Sequence, residues 1–168
     1  ANQIESLARK VDDNGGVYFV PAFTGLGAPY WNQHAKGLIY GLTRSTNKSH
    51  IARAALESIA YQSYDVIKAM EKDIGAKVKY IRANGGASAN SMLMQFQADI
   101  LGTIVERPQI LETTALGAAY FAGLAIGYWE NTDELISHWS IDRAFTPLMH
   151  ADRVNYLIDK WHDAISKS

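Results

Sequence analysis

Cysteine is absent from the 168-residue sequence, which excludes a disulfide scaffold, thiol catalysis and cysteine zinc sites. A surplus of charge is also missing, because 16 Lys and Arg are set against 17 Asp and Glu, for a net charge of −1. Nucleic acids and anionic membranes attract proteins that carry a surplus of basic residues. We therefore expect neither nucleic acid nor a membrane surface as a partner.

Long apolar runs are scarce as well. One uncharged apolar stretch covers residues 113–129, between Glu112 and Glu130, and lies at the lower limit of what crosses a bilayer. Three glycines interrupt it and no Lys or Arg flanks it, so we predict a buried helix that packs closely against a neighbour. No basic segment followed by an apolar run opens the sequence, so we expect no signal peptide and a cytoplasmic protein.

The residues that are present favour one folded α/β domain. Hydrophobic residues make up 48% of the chain, and the length suits a single domain of roughly 100–200 residues. Strands and helices alternate along the chain, which is typical of α/β folds. The apolar periodicity predicts helices over 4–11, 49–72, 89–101, 113–129, 132–138 and 154–165, and short strands over 17–20, 38–40, 78–83 and 103–106.

Four short strands are few for so many helices, and this indicates a piece of a larger protein. In the long helix over 49–72, apolar residues recur at helical spacing on one side. They are Ile51, Ala55, Ile59, Val66 and Met70. We predict that this side is buried and that Glu57 and Asp65 lie on the opposite, solvated side.

The turn after the strand over 78–83 is the candidate binding site. A strand that passes through Gly85 and Gly86 into a helix directs free N–H groups at a ligand, and the positive helix end favours a phosphate. Gly86 has no side chain to keep a phosphate or ribose away, and the Asn90 amide could hydrogen-bond a base or sugar. The alternative is an ordinary turn with Ser88 as the helix N-cap.

Two well-known phosphate motifs are absent from the sequence. There is no G-x-x-x-x-G-K-[ST] segment, and the G-x-G at residues 25–27 continues to Tyr30 instead of a third glycine. A hydrolase is a rival hypothesis, because residues 86–90 are one residue short of the G-x-S-x-G nucleophile elbow. Ser88 would then be the nucleophile, with a base drawn from three histidines, His138, His150 and His162.

The sequence predicts no protein metal site. The five histidines show no i, i+3 or i, i+4 pairing, and there is no cysteine to join them. Asp99 and Glu106 could assist a nucleotide-bound Mg²⁺, but nothing in their spacing requires it.

Several segments resemble the glycerol kinases of the FGGY carbohydrate kinase family. Residues 19–31, FVPAFTGLGAPYW, look like a loop typical of these enzymes, and residues 37–57 fit the second family signature. Residues 93–102, 105–108 and 113–119 are similar to the rest of the family's second domain. The resemblance extends from about Ile4 to the end of the sequence. It departs from the family pattern at Asn84, at residues 32–34 and at Lys36.

The resemblance implies a partial actin-like, ribonuclease-H-like ATPase domain, a mixed sheet with packed helices whose opening strands are missing. Residues 1–168 would be the C-terminal nucleotide-binding segment of a two-domain kinase. The reaction would transfer the γ-phosphate of Mg-ATP to glycerol, with ATP, Mg²⁺ and glycerol as the implied ligands. Gly85 and Gly86 would lie against the phosphates and ribose, and Asn90 near the adenine.

The same resemblance places the catalytic Asp before residue 1, so that no catalytic residue is expected in this segment. Phosphoryl transfer depends on positioning and charge supplied by both lobes, and we therefore expect the segment alone to be inactive. We also expect a homo-oligomer. The alternative is an interaction module that acts only with a partner chain, since an incomplete sheet leaves an unpaired edge and apolar faces.

Overall fold

The computed structural model describes residues 2–137 and 139–168. The helices are α1 (Asn2–Ala8), α2 (Lys48–Ile74), α3 (Ser91–Leu101), α4 (Thr113–Ala125), α5 (Thr132–Ser137) and α6 (Ala151–Ile165), with a 3-10 helix at Gly86–Ala89. The strands are β1 (Tyr18–Val20), β2 (Leu38–Tyr40), β3 (Tyr80–Arg82), β4 (Ile104–Pro108) and β5 (Ile141–Phe145). The predicted α/β class is confirmed.

The strands form two small sheets. Strands β1 and β2 pair antiparallel, while β4 lies between a parallel β3 and an antiparallel β5. The second sheet is therefore mixed, as expected. Strand β5 was not predicted, because within the segment IDRAF only Phe145 is buried and no apolar alternation marks a strand.

The core lies where α2, α3 and α6 meet the sheets. Trp161 of α6 is fully buried, and its ring stacks on Tyr61 of α2 with centroids 5.2 Å apart. Phe96 of α3 meets the same Tyr61 ring edge-on at 5.5 Å. Val105 of β4 and Phe145 of β5 complete this cluster from the mixed sheet. The buried side of α6 consists of Leu157, Ile158, Trp161 and Ala164.

Helix α2 begins at an Asn47 N-cap and ends at Gly75 in the left-handed conformation, close to the predicted bounds. The prediction of its buried side is wrong. Ile59 and Met70 are 41% and 54% exposed, whereas Glu57 and Asp65 are 3% and 6% exposed. Besides Leu56 and Tyr61, the inward side carries small residues and two carboxyl groups. The carboxyl groups can be buried because each accepts a hydrogen bond from another part of the chain.

Those donors are specific. Glu57 accepts hydrogen bonds from Asn14 Nδ2 at 2.9 Å and from Arg53 Nε at 2.8 Å. Burial raises the pKa of Glu57 above its usual value, although both partners act to lower it.

Asp65 joins three segments of the chain. Its Oδ2 accepts from the Tyr30 hydroxyl at 2.8 Å and from Trp161 Nε1 at 2.7 Å, and His162 Nε2 lies 2.9 Å from Oδ1. The glycine-rich loop around Tyr30 is in this way fixed to both α2 and α6. Burial, together with the hydrogen bond to Asp65, raises the pKa of Tyr30 above its usual value.

Helix α4 is not the buried helix that the sequence predicts. In α4, every residue of which is described, Gly123 alone is buried, and Phe121 is 77% exposed. Gly123 does make a close approach, since a Cβ there would overlap the Trp129 ring. Among residues 2–137 and 139–168, no helix is long and apolar enough to cross a membrane.

Candidate functional site

The turn between β3 and the 3-10 helix is built around Gly85. Its φ of 80° is a conformation that favours glycine, and its N–H donates to Leu111 O at 2.8 Å. Its carbonyl oxygen accepts from Ser88 N at 3.0 Å and from Ser88 Oγ at 2.7 Å. Hydrogen bonds therefore fix Gly85 at both its N–H and its carbonyl group, and this residue stabilises the turn.

Gly86 and Ala87 open the 3-10 helix and are exposed. Within the described part of the chain, their two N–H groups have no hydrogen-bond acceptor. A Cβ placed on Gly86 would meet no atom within 4 Å, so the space beside this residue is open. Free N–H groups at the start of a helical turn carry partial positive charge and can receive an anion.

Asn90, rather than Ser88, is the N-cap of α3. Its Oδ1 accepts from Leu93 N at 3.0 Å, and its own N–H donates to Ala87 O at 3.1 Å. The cap fixes the rotamer of the side chain and leaves Nδ2 as its donor group, with no acceptor for Nδ2 among the described residues.

Gly86, Ala87 and Asn90 line one cleft of about 470 Å³. Its opposite walls come from Ile4 and Glu5 of α1, Leu56 and Ile59 of α2, and Leu93 of α3. Apolar walls with a few convergent polar groups are typical of small-molecule sites. The structure thus brings Gly86 and Asn90 together on the lining of one cleft, whereas Gly85 is not among the residues that line it.

The walls from α1 and α2 were not predicted from the sequence. The sequence offered no signal for these walls, since Ile59 was predicted on the buried side of α2, whereas the structure leaves it 41% exposed. Its position beside the glycine turn depends on how α2 crosses α3, which residue spacing does not reveal.

The hydrolase hypothesis is wrong. Ser88 is 1% exposed and its Oγ donates to Gly85 O, so this hydroxyl is a structural group. His162 lies beside Asp65, and the His150 ring accepts from Asp152 N at the start of α6. No described histidine hydrogen-bonds Ser88, and His138 lies outside the described residues.

Asp99 and Glu106 are not arranged as magnesium ligands. Asp99 Oδ1 accepts from Leu148 N at 2.7 Å and from Gln95 Nε2 at 3.1 Å, and Glu106 lies 3.5 Å from Arg82 Nε. No group of three or more potential ligand side chains gathers anywhere in residues 2–137 and 139–168. The described residues therefore do not fit a protein-held Mg²⁺.

Comparison with known proteins gives a consistent answer. Residues 1–126 match the C-terminal domain of the FGGY family of carbohydrate kinases. Glycerol kinase 2 of Thermotoga maritima and glycerol kinase of Dechloromonas aromatica are each 59% identical to this chain over 168 residues. That alignment covers all of this chain and 34% of either relative, so the chain spans about a third of their length.

Solved structures agree at the level of the fold. The crystal structure of Plasmodium falciparum glycerol kinase with ADP matches with a TM-score of 0.87 and 35% identity, over 99% of this chain and 33% of that one. Xylulose kinase from Rhodospirillum rubrum matches with a TM-score of 0.76 and 25% identity, over 99% of this chain and 33% of its own. The fold is that of the C-terminal domain of the actin-like ATPases, and the chain belongs to the FGGY family of carbohydrate kinases.

Proposed function

We propose that residues 1–168 form the C-terminal nucleotide-binding segment of a two-domain glycerol kinase, which transfers the γ-phosphate of ATP to glycerol and gives glycerol 3-phosphate. The observation that carries the proposal is that Gly86 and Ala87, whose N–H groups have no acceptor among the described residues, line the same cleft as Asn90. Support for the substrate comes from the 59% identical relatives named glycerol kinase and from the Plasmodium falciparum enzyme, whose crystal structure is described as containing ADP.

The chemistry of the cleft suits a nucleotide. The N–H groups of Gly86 and Ala87 donate to phosphate oxygens, and the absence of a Cβ at Gly86 lets those oxygens approach the backbone. Asn90 Nδ2 donates to the base or sugar, at an angle that the N-cap hydrogen bond fixes. Leu56 and Ile59 offer apolar surface to the face of the base.

The segment supplies binding and not the reacting groups. Glu5 is the one carboxylate on the described walls of the cleft, and it is ion-paired with Arg9. We propose that the catalytic base and the glycerol contacts come from the rest of the kinase, that Mg²⁺ arrives with the nucleotide as Mg-ATP, and that residues 1–168 alone are inactive. The parent enzyme would act in the cytoplasm as a homo-oligomer.

Calorimetric titration with ADP tests the site through Gly86→Trp, in the full-length kinase and in residues 1–168. Because φ at Gly86 is not positive and nothing lies within 4 Å, the indole enters the cleft without backbone strain. Gly27→Trp is the matched control, since Gly27 is equally unobstructed and lies away from the cleft. We expect Gly86→Trp to abolish ADP binding and Gly27→Trp to retain it. Equal ADP affinity in the wild type and in Gly86→Trp would refute the proposed site.

A second candidate function is the interaction module. It is favoured by the large apolar side chains exposed on and after α4, namely Phe121, Ile126 and Tyr128. Oligomeric state tests this candidate, because a module that acts only with a partner should associate, and a chain that stays monomeric at low concentration would count against it.

A further inference from the structure

The Arg107 side chain reaches from β4 to the glycine turn. Its Nη1 lies 3.2 Å from Ser88 O, 3.3 Å from Ala89 O and 3.2 Å from Ser91 Oγ. The Arg107 side chain is 13% exposed, and its hydrogen bonds to Ser88 O and Ser91 Oγ are partly buried. One guanidinium nitrogen therefore contacts both the end of the 3-10 helix and the start of α3.

The three acceptors lie at the junction between the 3-10 helix and α3. Ser88 and Ala89 close the 3-10 helix, Ser91 opens α3, and Asn90 lies between them. Carbonyl groups at the end of a helix lack backbone donors and carry partial negative charge, which a cation satisfies. The guanidinium thereby fixes the angle at this junction. That angle sets the distance between the free N–H groups at the start of the turn and the Asn90 amide.

The guanidinium is itself held in place by β5. Asp142 Oδ2 accepts from Arg107 Nε at 2.7 Å and lies 2.7 Å from Nη2. The Phe145 ring lies beside the same guanidinium, with its centroid 5.4 Å from Arg107 Cζ. A planar fork can bond Asp142 on one side and the turn on the other, which the single ammonium group of lysine cannot reproduce.

We propose that Arg107 is a positioning residue for the nucleotide, oriented by Asp142, and that it acts through the junction between the 3-10 helix and α3. This proposal rests on the proposed function, since it concerns how the same site presents its donors. Arg107 does not line the cleft, so it would act on the nucleotide only through the turn.

Arg143 offers a matched control. It is the cross-strand partner of Arg107 in the β4–β5 pair, and its Cζ lies 4.6 Å from the centroid of the same Phe145 ring. It donates no hydrogen bond to the glycine turn among the described residues. Arg107→Ala and Arg143→Ala remove the same charge from the same sheet, and only the first removes the contact with the turn.

Steady-state kinetics of the full-length kinase provide the test. We expect Arg107→Ala to raise KM for ATP about tenfold, because charge-assisted hydrogen bonds are lost, and to leave KM for glycerol unchanged. Asp142→Asn should raise KM for ATP about threefold, and Arg107→Lys should not restore the wild-type value. Arg143→Ala should match the wild type. An unchanged KM for ATP in Arg107→Ala, or an equal rise in Arg143→Ala, would overturn the proposal.

Hydrogen exchange separates this proposal from the proposed function. If the wild type neither binds nor turns over ATP, the proposed function fails, and the junction is then judged by the Ser88 and Asn90 amides. These amides donate within the turn and should exchange about tenfold faster in Asp142→Asn than in Arg143→Ala. Equal exchange rates would refute the positioning role. Asp142→Asn also decides the kinetic test if Arg107→Ala does not fold.

Discussion

Glu57 keeps an ionisable carboxyl group in the protein interior, where Arg53 and Asn14 donate to its two oxygens. Burial outweighs these donors and raises its pKa above 4.5 in the folded state. Because the folded chain then binds this proton more readily than the unfolded chain, the Glu57 contribution to stability is fully present below pH 4.5. It is lost as the pH rises through the folded-state pKa.

We predict that Glu57→Gln removes the Glu57 contribution to the pH dependence of the free energy of unfolding. Relative to the variant, the wild type should lose stability from pH 4.5 upward, by about 1.4 kcal/mol for each unit by which the pKa is raised. Urea unfolding of both proteins between pH 4 and about 8 measures the difference.

Glu71→Gln is a control on the same helix, at a carboxyl group whose pKa is shifted in the opposite direction. A hydrogen bond from Lys68 lowers the pKa of Glu71, so its contribution is present above pH 4.5 and is lost as the pH falls through the folded-state pKa. Parallel profiles for the wild type and Glu57→Gln would contradict the raised pKa of Glu57.

At the scale of elements, helix α3 depends on the same side chain that faces the cleft. Asn90 caps α3 with Oδ1 and lines the cleft together with Gly86. Asn and Asp are comparable N-caps, so Asn90→Asp keeps the cap while it removes the amide donor and adds a negative charge beside the phosphate site.

We predict that Asn90→Asp leaves the free energy of unfolding within about 0.5 kcal/mol of the wild type and weakens ADP binding at least tenfold. Asn47→Asp is the same change at the N-cap of α2. It should leave the free energy of unfolding within about 0.5 kcal/mol of the wild type and the ADP affinity unchanged. Denaturant unfolding and ADP titration measure the two effects. A proportional loss of stability and binding in Asn90→Asp would mean that Asn90 acts only as a cap.

Sequence periodicity predicted the bounds of α3 and α6 well, because each has a distinct apolar stripe and a clear end signal. It failed for the faces of α2 and α4. Asp65 is buried because its partners include Trp161, 96 positions away, and local spacing does not reveal such a partner. Helix α4 is apolar on all sides, so its pattern marks no buried face.

The candidate site was predicted in part. The strand–glycine–helix order pointed to Gly86 and Asn90, and the structure brings them into one cleft, while their role in binding remains a prediction. The opposite wall of the cleft and the reach of Arg107 depend on tertiary packing between elements distant in sequence.

At the scale of the whole molecule, the described surface leaves several large apolar side chains in water. Phe121, Ile126 and Tyr128 lie close together in sequence on and after α4, and all three are mostly exposed. Large exposed apolar side chains favour association, and this holds whether the occupant is another part of a kinase or another copy.

We predict that residues 1–168 self-associate in a concentration-dependent manner and that Phe121→Lys combined with Tyr128→Lys shifts the species toward the monomer. Leu148→Lys changes an apolar residue that is as exposed as Phe121 but lies outside residues 121–128. It should leave the distribution between monomer and associated species unchanged. Sedimentation velocity over a hundredfold concentration range measures the shift. A chain that stays monomeric throughout would count against the interaction module.

The three-way contact at Asp65 makes the order of the glycine-rich loop depend on the opposite end of the chain. Trp161 and His162 are the first two residues after Lys160, and the bond that follows Lys160 is one that trypsin cleaves once this part of α6 unfolds locally. A single cut there would release both partners and leave a buried carboxyl group with Tyr30 as its remaining side-chain donor. The loop around Tyr30 would then become a second cleavage site, more than a hundred residues from the first, so that proteolysis at one end of the chain would expose the other.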